Sequence, residues 1–278
     1  MTDLAQAIET ELQEAAESDE LELPTLPEVA LRIRDVASDR NVSGTSLAAV
    51  VAEDPVLTAQ LMRVANSPMF RAVKPIDDLQ MAISRIGVEY AANLATGLAM
   101  QHMFQATSEL IDRKLRETWS HAVDIAAICG VLARSFTDLA SDQATLAGLT
   151  HSIGVLPILS WAEHNDHLVE DEAILNRVIE SSHGSIGTMI LTRWNFPPEL
   201  ASIPSQLTRW DREVADSDFT DLVQIATLQS VVGTEHPLTQ LDWSEVSAFS
   251  RLGLDPDSAR ETLDSFRDAF DMAREIYH

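Results

Sequence analysis

Apolar residues recur at helical spacing along nearly the whole chain, and this period dictates what it can fold into. Leu57, Leu61, Val64 and Ala65 repeat at i, i+4, i+7 and i+8. Leu79, Ile83, Ile86, Tyr90, Leu94 and Leu98 carry the pattern onward as one continuous stripe. Ile179, His183, Ile186, Ile190 and Trp194 form another, as do Leu4, Ile8, Leu12 and Ala15 near the start and Leu263, Phe266, Phe270 and Ala273 near the end. No alternating run long enough to demand a strand occurs. The sequence predicts an all-α protein. A hydrophobic fraction of 45% supplies a core, and an aromatic fraction of only 5% argues against a β-sandwich.

Charge narrows the function. The chain has 44 acids against 19 Lys and Arg, a formal charge of −25, and its only lysines are Lys74 and Lys114. Such a chain repels nucleic-acid phosphates unless a local basic patch intervenes. The best candidate patch, Arg113, Lys114 and Arg116, is bracketed by Asp112 and Glu117, so no nucleic-acid partner is expected. The acidity fits either plain solubility or a saline cytoplasm. The single cysteine, Cys129, sits in an apolar stretch and reads as a small buried hydrophobe, which fits a reducing, cytoplasmic location. No apolar run of membrane-spanning length is apparent, and the acidic start does not read as a secretory signal, so no membrane partner is expected.

Start and stop signals divide the helices. Asp54 caps a helix that opens on Pro55, and Asn66-Ser67-Pro68 ends it. Ser258 and Glu261 have capping-box spacing, with Gly253 and Pro256 marking the turn ahead of them. A break around 107–112 separates two halves, and the second holds seven of the eight histidines. Chemistry is therefore expected there. The loop after Asn66 carries Met69 and Phe70, which serve either as core anchors or as a partner-contact patch.

Several segments occur together in a specific order: Leu23-Pro24-Thr25-Leu26-Pro27, Asp54-Pro55-Val56-Leu57, Leu61-Met62-Arg63-Val64-Ala65-Asn66-Ser67, and then Gly87 and Asn93-Leu94-Ala95. Over residues 21–235 the chain resembles the HDOD family, bacterial signalling domains related to HD-type metal phosphohydrolases. The resemblance implies two packed helical bundles, the C-terminal one a degenerate HD-type hydrolase core. Together with the break near 107–112, the expected division is an acidic N-terminal helix (1–20), an N-terminal lobe (21–108), an HD-like lobe (109–235) and C-terminal helices (236–278).

An HD-type site needs a first histidine, an adjacent His-Asp pair and a distant aspartate, because carboxylates offset the charge of a divalent metal and imidazoles add neutral nitrogens. By resemblance His121 matches the first histidine and His151 the second. Ser152 stands where the paired aspartate is expected, and Thr227 where the distant one is. Losing both carboxylates leaves a metal's charge poorly compensated. The resemblance thus implies no metal, no cofactor and no catalytic residue, with His121, His151, Ser152 and Thr227 as vestiges of a site. Read as residues alone, the two histidines could be hydrogen-bonded core groups, transition-metal ligands with a third histidine, or donors in a ligand pocket. His183 is expected to be buried and bonded to backbone, or else to line a pocket. His164 and His167 are read as members of a solvated loop. The expected function is a non-catalytic signalling or scaffold module binding protein partners, with a small ligand or a homodimer as further options. The alternative is a residual metal-dependent phosphohydrolase acting on a nucleotide or phosphoester.

Overall fold

The computed structural model describes residues 2–18, 20–39, 42–70, 75–163 and 171–277. His164, His167, Lys74 and the residues following Phe70 in its loop lie outside them, as does the side chain of Leu4. Among the described residues the fold is helical, with no strand. In chain order the helices are α1 (Thr2–Glu17), α2 (Glu28–Ser38), α3 (Gly44–Val51), α4 (Pro55–Ala65), α5 (Leu79–Ile86), α6 (Val88–Ala99), α7 (Glu109–Phe136), α8 (Ser141–Thr150) and α9 (Val155–Glu163). They continue as α10 (Glu172–Arg193), α11 (Pro198–Ala201), α12 (Ile203–Gln206), α13 (Phe219–Ser230), α14 (Ser247–Arg251), α15 (Pro256–Asp264) and α16 (Arg267–Tyr277).

The chain forms two compact units. Unit one gathers residues 1–25, 102–122 and 150–209; unit two gathers 26–101, 123–149 and 210–278. Both are discontinuous in sequence. Helix α7 gives its first half to unit one and its second half to unit two.

In unit one α1 lies against α10, burying Ile8 and Leu12. Ile8 and Leu12 of the α1 stripe are thus covered within the chain's own unit. Helix α10 ends where Asn195 takes a positive φ of 54° and the Phe196 N–H reaches back to the Leu191 carbonyl at 3.0 Å. This satisfies a carbonyl that the helix terminus would otherwise leave open. Lys114 is buried and meets Glu172 at 2.7 Å and Asn176 at 2.8 Å, tying α7 to α10. Its hydrogen bond, followed by its charge, holds the Glu172 carboxyl below the usual carboxylate range. Arg116 pairs with Asp112 at 2.6 Å, and Arg113 lies 3.6 Å from Glu172. Every base of the candidate basic patch therefore faces an acid.

Unit two packs α2 on α6 and α4 on α5. Asp54 accepts hydrogen bonds from the Val56 and Leu57 N–H groups, so α4 starts as its sequence signal indicates. Asn66 ends that helix, and its side-chain amide pairs in both directions with the backbone of Ile76 at 2.8 and 2.7 Å. Cys129 is buried, and burial raises its thiol pKa. Phe70 is half-buried and sets its ring edge against Tyr90, centroids 5.3 Å apart. Arg212, Asp218, Asp221 and Arg251 form an ionic network centred on the buried Asp221, with Asp218 at its half-exposed edge. Asp221 is fully buried and accepts from Arg212 Nη1 at 2.8 Å and from Arg251 Nε and Nη2 at 2.8 and 2.6 Å. Arg251 also donates to the Arg212 carbonyl at 2.8 Å.

The structure departs from the sequence expectations at three places. The stripe from Leu79 to Leu98 is two helices, broken at Gly87, whose φ of 92° an L side chain rarely adopts. The C-terminal stripe is also two helices, and α15 starts at Pro256 under an Asp255 cap rather than at Ser258. Asp followed by Pro is the stronger signal, because Pro pre-sets φ and lacks only an N–H that a helix start leaves unbonded anyway. Finally, residues 141–163 are apolar enough to match a membrane span, contrary to the expectation from composition. They form α8 and α9, separated by a turn, and 89% of the apolar window is buried inside the fold.

Candidate functional site

The candidate histidines come together in unit one. His121 lies on α7, and His151 opens the turn between α8 and α9. Their rings meet edge to face, with centroids 5.8 Å apart and planes at 61°. His151 is buried and His121 half-buried. Ser152 is also buried, and its hydroxyl has no hydrogen-bond partner among the described residues.

Helix α10 closes on this turn through glycine. A Cβ on Gly154 would fall 2.0 Å from the His183 carbonyl oxygen and 2.6 Å from the Gly187 nitrogen. Only hydrogen fits there, so the backbones touch. The contact brings the main chain of His183 against the turn two residues after Ser152. Ile186 and Ile190, on the same stripe of α10, are buried.

His183 departs from expectation. Its Nδ1 is buried without a hydrogen-bond partner among the described residues, instead of being bonded to backbone. Burial lowers its pKa, so the ring favours its neutral form. In the unfolded chain it would titrate near the ordinary value of 6.5. The fold therefore keeps His183's full contribution above that pH and loses it as pH falls towards the depressed folded value. The expected slope approaches about 1.4 kcal/mol per pH unit within that window. Chemical denaturation at pH 7.5 and 5.5 checks this: His183→Gln should lose less stability than the parent over the interval. Equal losses would mean that His183 is not the titrating group.

Thr227 belongs to unit two. It lies on α13, where its hydroxyl donates to the Val223 carbonyl one turn back at 2.8 Å. Among the described residues, no three of the His, Cys, Asp and Glu side chains cluster as a metal-binding group. The buried network around Asp221 escapes sequence reasoning. Asp218 and Asp221 do carry a capping-box spacing, and the structure uses it at the start of α13. No spacing signal links them to Arg212 or Arg251.

The helical fold thus sets His121 of a long helix against His151 at the head of a buried turn. The chain belongs to the HDOD domain family, whose model matches residues 23–207. The match ends short of residue 235, where the sequence resemblance places the limit. The fold is similar to that of a protein from Shewanella amazonensis SB2B provisionally named a metal-dependent phosphohydrolase, with TM-score 0.86, 25% identity and complete coverage of both chains. It is also similar to an HDOD domain protein of unknown function from Geobacter sulfurreducens, with TM-score 0.69, 20% identity and 99% of each chain covered. A protein from Marinobacter aquaeolei VT8, provisionally named a signal transduction protein, matches at TM-score 0.66 and 23% identity over 98% of this chain and 66% of that one. In sequence, the chain is 26% identical over 190 residues to an uncharacterised protein of Treponema pallidum (strain Nichols). That match covers 63% of this chain and about a third of the relative, 36%.

Proposed function

We propose that this HDOD chain is a non-catalytic signalling or scaffold module of the bacterial cytoplasm that acts by binding protein partners. The observation carrying this reading is Ser152. Its hydroxyl, without a partner among the described residues, follows His151 where a hydrolytic metal site requires a carboxylate. Two imidazoles and a neutral hydroxyl make a poor donor set for a hard divalent cation. The donor set thus does not fit the metal that HD-type hydrolysis uses. The name of the Marinobacter relative supports a signalling role.

A second reading, a residual metal-dependent phosphohydrolase, draws on the closeness of His121 and His151 and on the name of the Shewanella relative. Elemental analysis of protein purified without chelator separates the two. The module reading expects substoichiometric Mg, Mn, Fe and Zn and no cleavage of a nitrophenyl phosphodiester with added Mn. One metal per chain, lost on His151→Ala, would overturn it.

A further inference from the structure

Unit one contains a cleft of about 370 Å³ that none of His121, His151, Ser152 or His183 lines. One wall is the extended stretch Leu23-Pro24-Thr25. It is pinned where Trp194 Nε1 donates to the Pro24 carbonyl at 3.1 Å, and Pro24 itself restricts the backbone. The remaining apolar surface comes from Met103, Ala106, Ile111, Leu115, Leu156 and Pro157. The charged residues lining the cleft are Glu22 and Glu163, with no Lys, Arg or His among the described lining residues. Glu163 is positioned by the Thr107 hydroxyl, which donates to it at 2.7 Å, and by the Ser108 N–H at 2.8 Å.

We propose that this cleft docks a short basic–apolar segment of a partner protein, in which a lysine or arginine lies next to a leucine-sized side chain. The inference rests on the binding-module reading and adds the partner's chemistry. The volume falls in the range of roughly 300–1,000 Å³ typical of ligand pockets. The exposed Glu22 carboxylate selects a cation, and the apolar wall accepts both its aliphatic stem and its neighbour. A net charge of −25 steers basic segments towards the chain and repels acidic ones. The pinned wall leaves little ordering cost on binding.

The test uses the full chain and a fluorescein-labelled octapeptide alternating leucine and lysine, read by anisotropy at about 150 mM NaCl. A leucine–glutamate octapeptide should bind at least tenfold more weakly. Glu22→Lys, at an exposed lining residue, and Ser160→Trp, which fills the cleft from its exposed rim, should each weaken binding at least tenfold. Glu235→Lys makes the same charge change at an exposed site in unit two and should alter binding less than twofold. If Ser160→Trp misfolds by circular dichroism, Gln105→Trp fills the same cleft from another exposed position. The proposal is overturned if the leucine–lysine peptide does not bind, if Glu235→Lys weakens binding as much as Glu22→Lys, if filling the cleft has no effect, or if free arginine competes as well as the peptide. A native partner that the peptide does not displace would sink this inference and leave the module reading intact. Metal-dependent turnover would sink the module reading and leave the peptide result standing.

Discussion

Replacing Asp221 with asparagine should destabilise the protein by about 3–5 kcal/mol, the range for breaking a buried ion pair by removing one partner. Asp221 is fully buried and meets two guanidinium groups, which are themselves almost entirely withdrawn from water. The substitution removes the shared negative charge and leaves Arg251 with the Arg212 carbonyl as its other acceptor in this network. Urea denaturation checks the result, and an unchanged slope with denaturant would place the effect on stability rather than compactness. Adding Arg251→Met to Asp221→Asn should cost less than the sum of the single changes, because each single change strands a charge that the other removes. A loss below about 1 kcal/mol for Asp221→Asn would show that water reaches the network. Asp218, beside Asp221, has opposing influences: burial raises its pKa, but the Arg212 hydrogen bond and backbone N–H groups outweigh it and leave the pKa lowered. Its contribution is therefore complete above the unfolded value near 3.8 and is lost as pH falls through the depressed folded one.

Gly154→Ala should cost about 3 kcal/mol, at the upper end of the overpacking range. The added methyl would meet main-chain atoms of His183 and Gly187, which cannot swing aside as a side-chain tip can. Relief requires α10 to move off the turn that carries His151 and Ser152. Thermal unfolding measures the loss. The near-ultraviolet spectrum should change as well, since Trp194 terminates the same helix. A variant as stable as the parent would mean that the turn and α10 are not in backbone contact.

The helical class is legible in the sequence because burial follows the 3.6-residue period at Leu57, Leu61 and Val64, and the structure buries all three. Asp54 and Pro55 are readable for a local reason, since an N-cap and a preset φ act within a few residues. Gly87 is not, because its break leaves the apolar period in step on both sides. Ser258 and Glu261 mislead because their spacing is available inside any helix, whereas Asp255-Pro256 works only at a start. At the candidate site, His121, His151 and Ser152 can be picked out one by one. That the Ser152 hydroxyl and His183 Nδ1 lack partners among the described residues depends on packing from distant segments, which spacing does not encode. The Arg212–Asp221–Arg251 network is hidden for the same reason, since Arg251 reaches across 30 residues to Asp221 and 39 to the Arg212 carbonyl only through the fold.

The interleaving of the two units along the sequence has a consequence for how the protein is made. A chain leaving the ribosome delivers residues 1–25 well ahead of their partners, because unit one needs segments up to residue 209 to close. Unit two waits longer still, for residues beyond 210. Vectorial synthesis cannot finish one unit before starting the other, so residues 1–25 stay without the rest of their unit until the segments up to residue 209 have emerged. For the same reason, no single cut between residues 26 and 209 leaves either product with a whole unit.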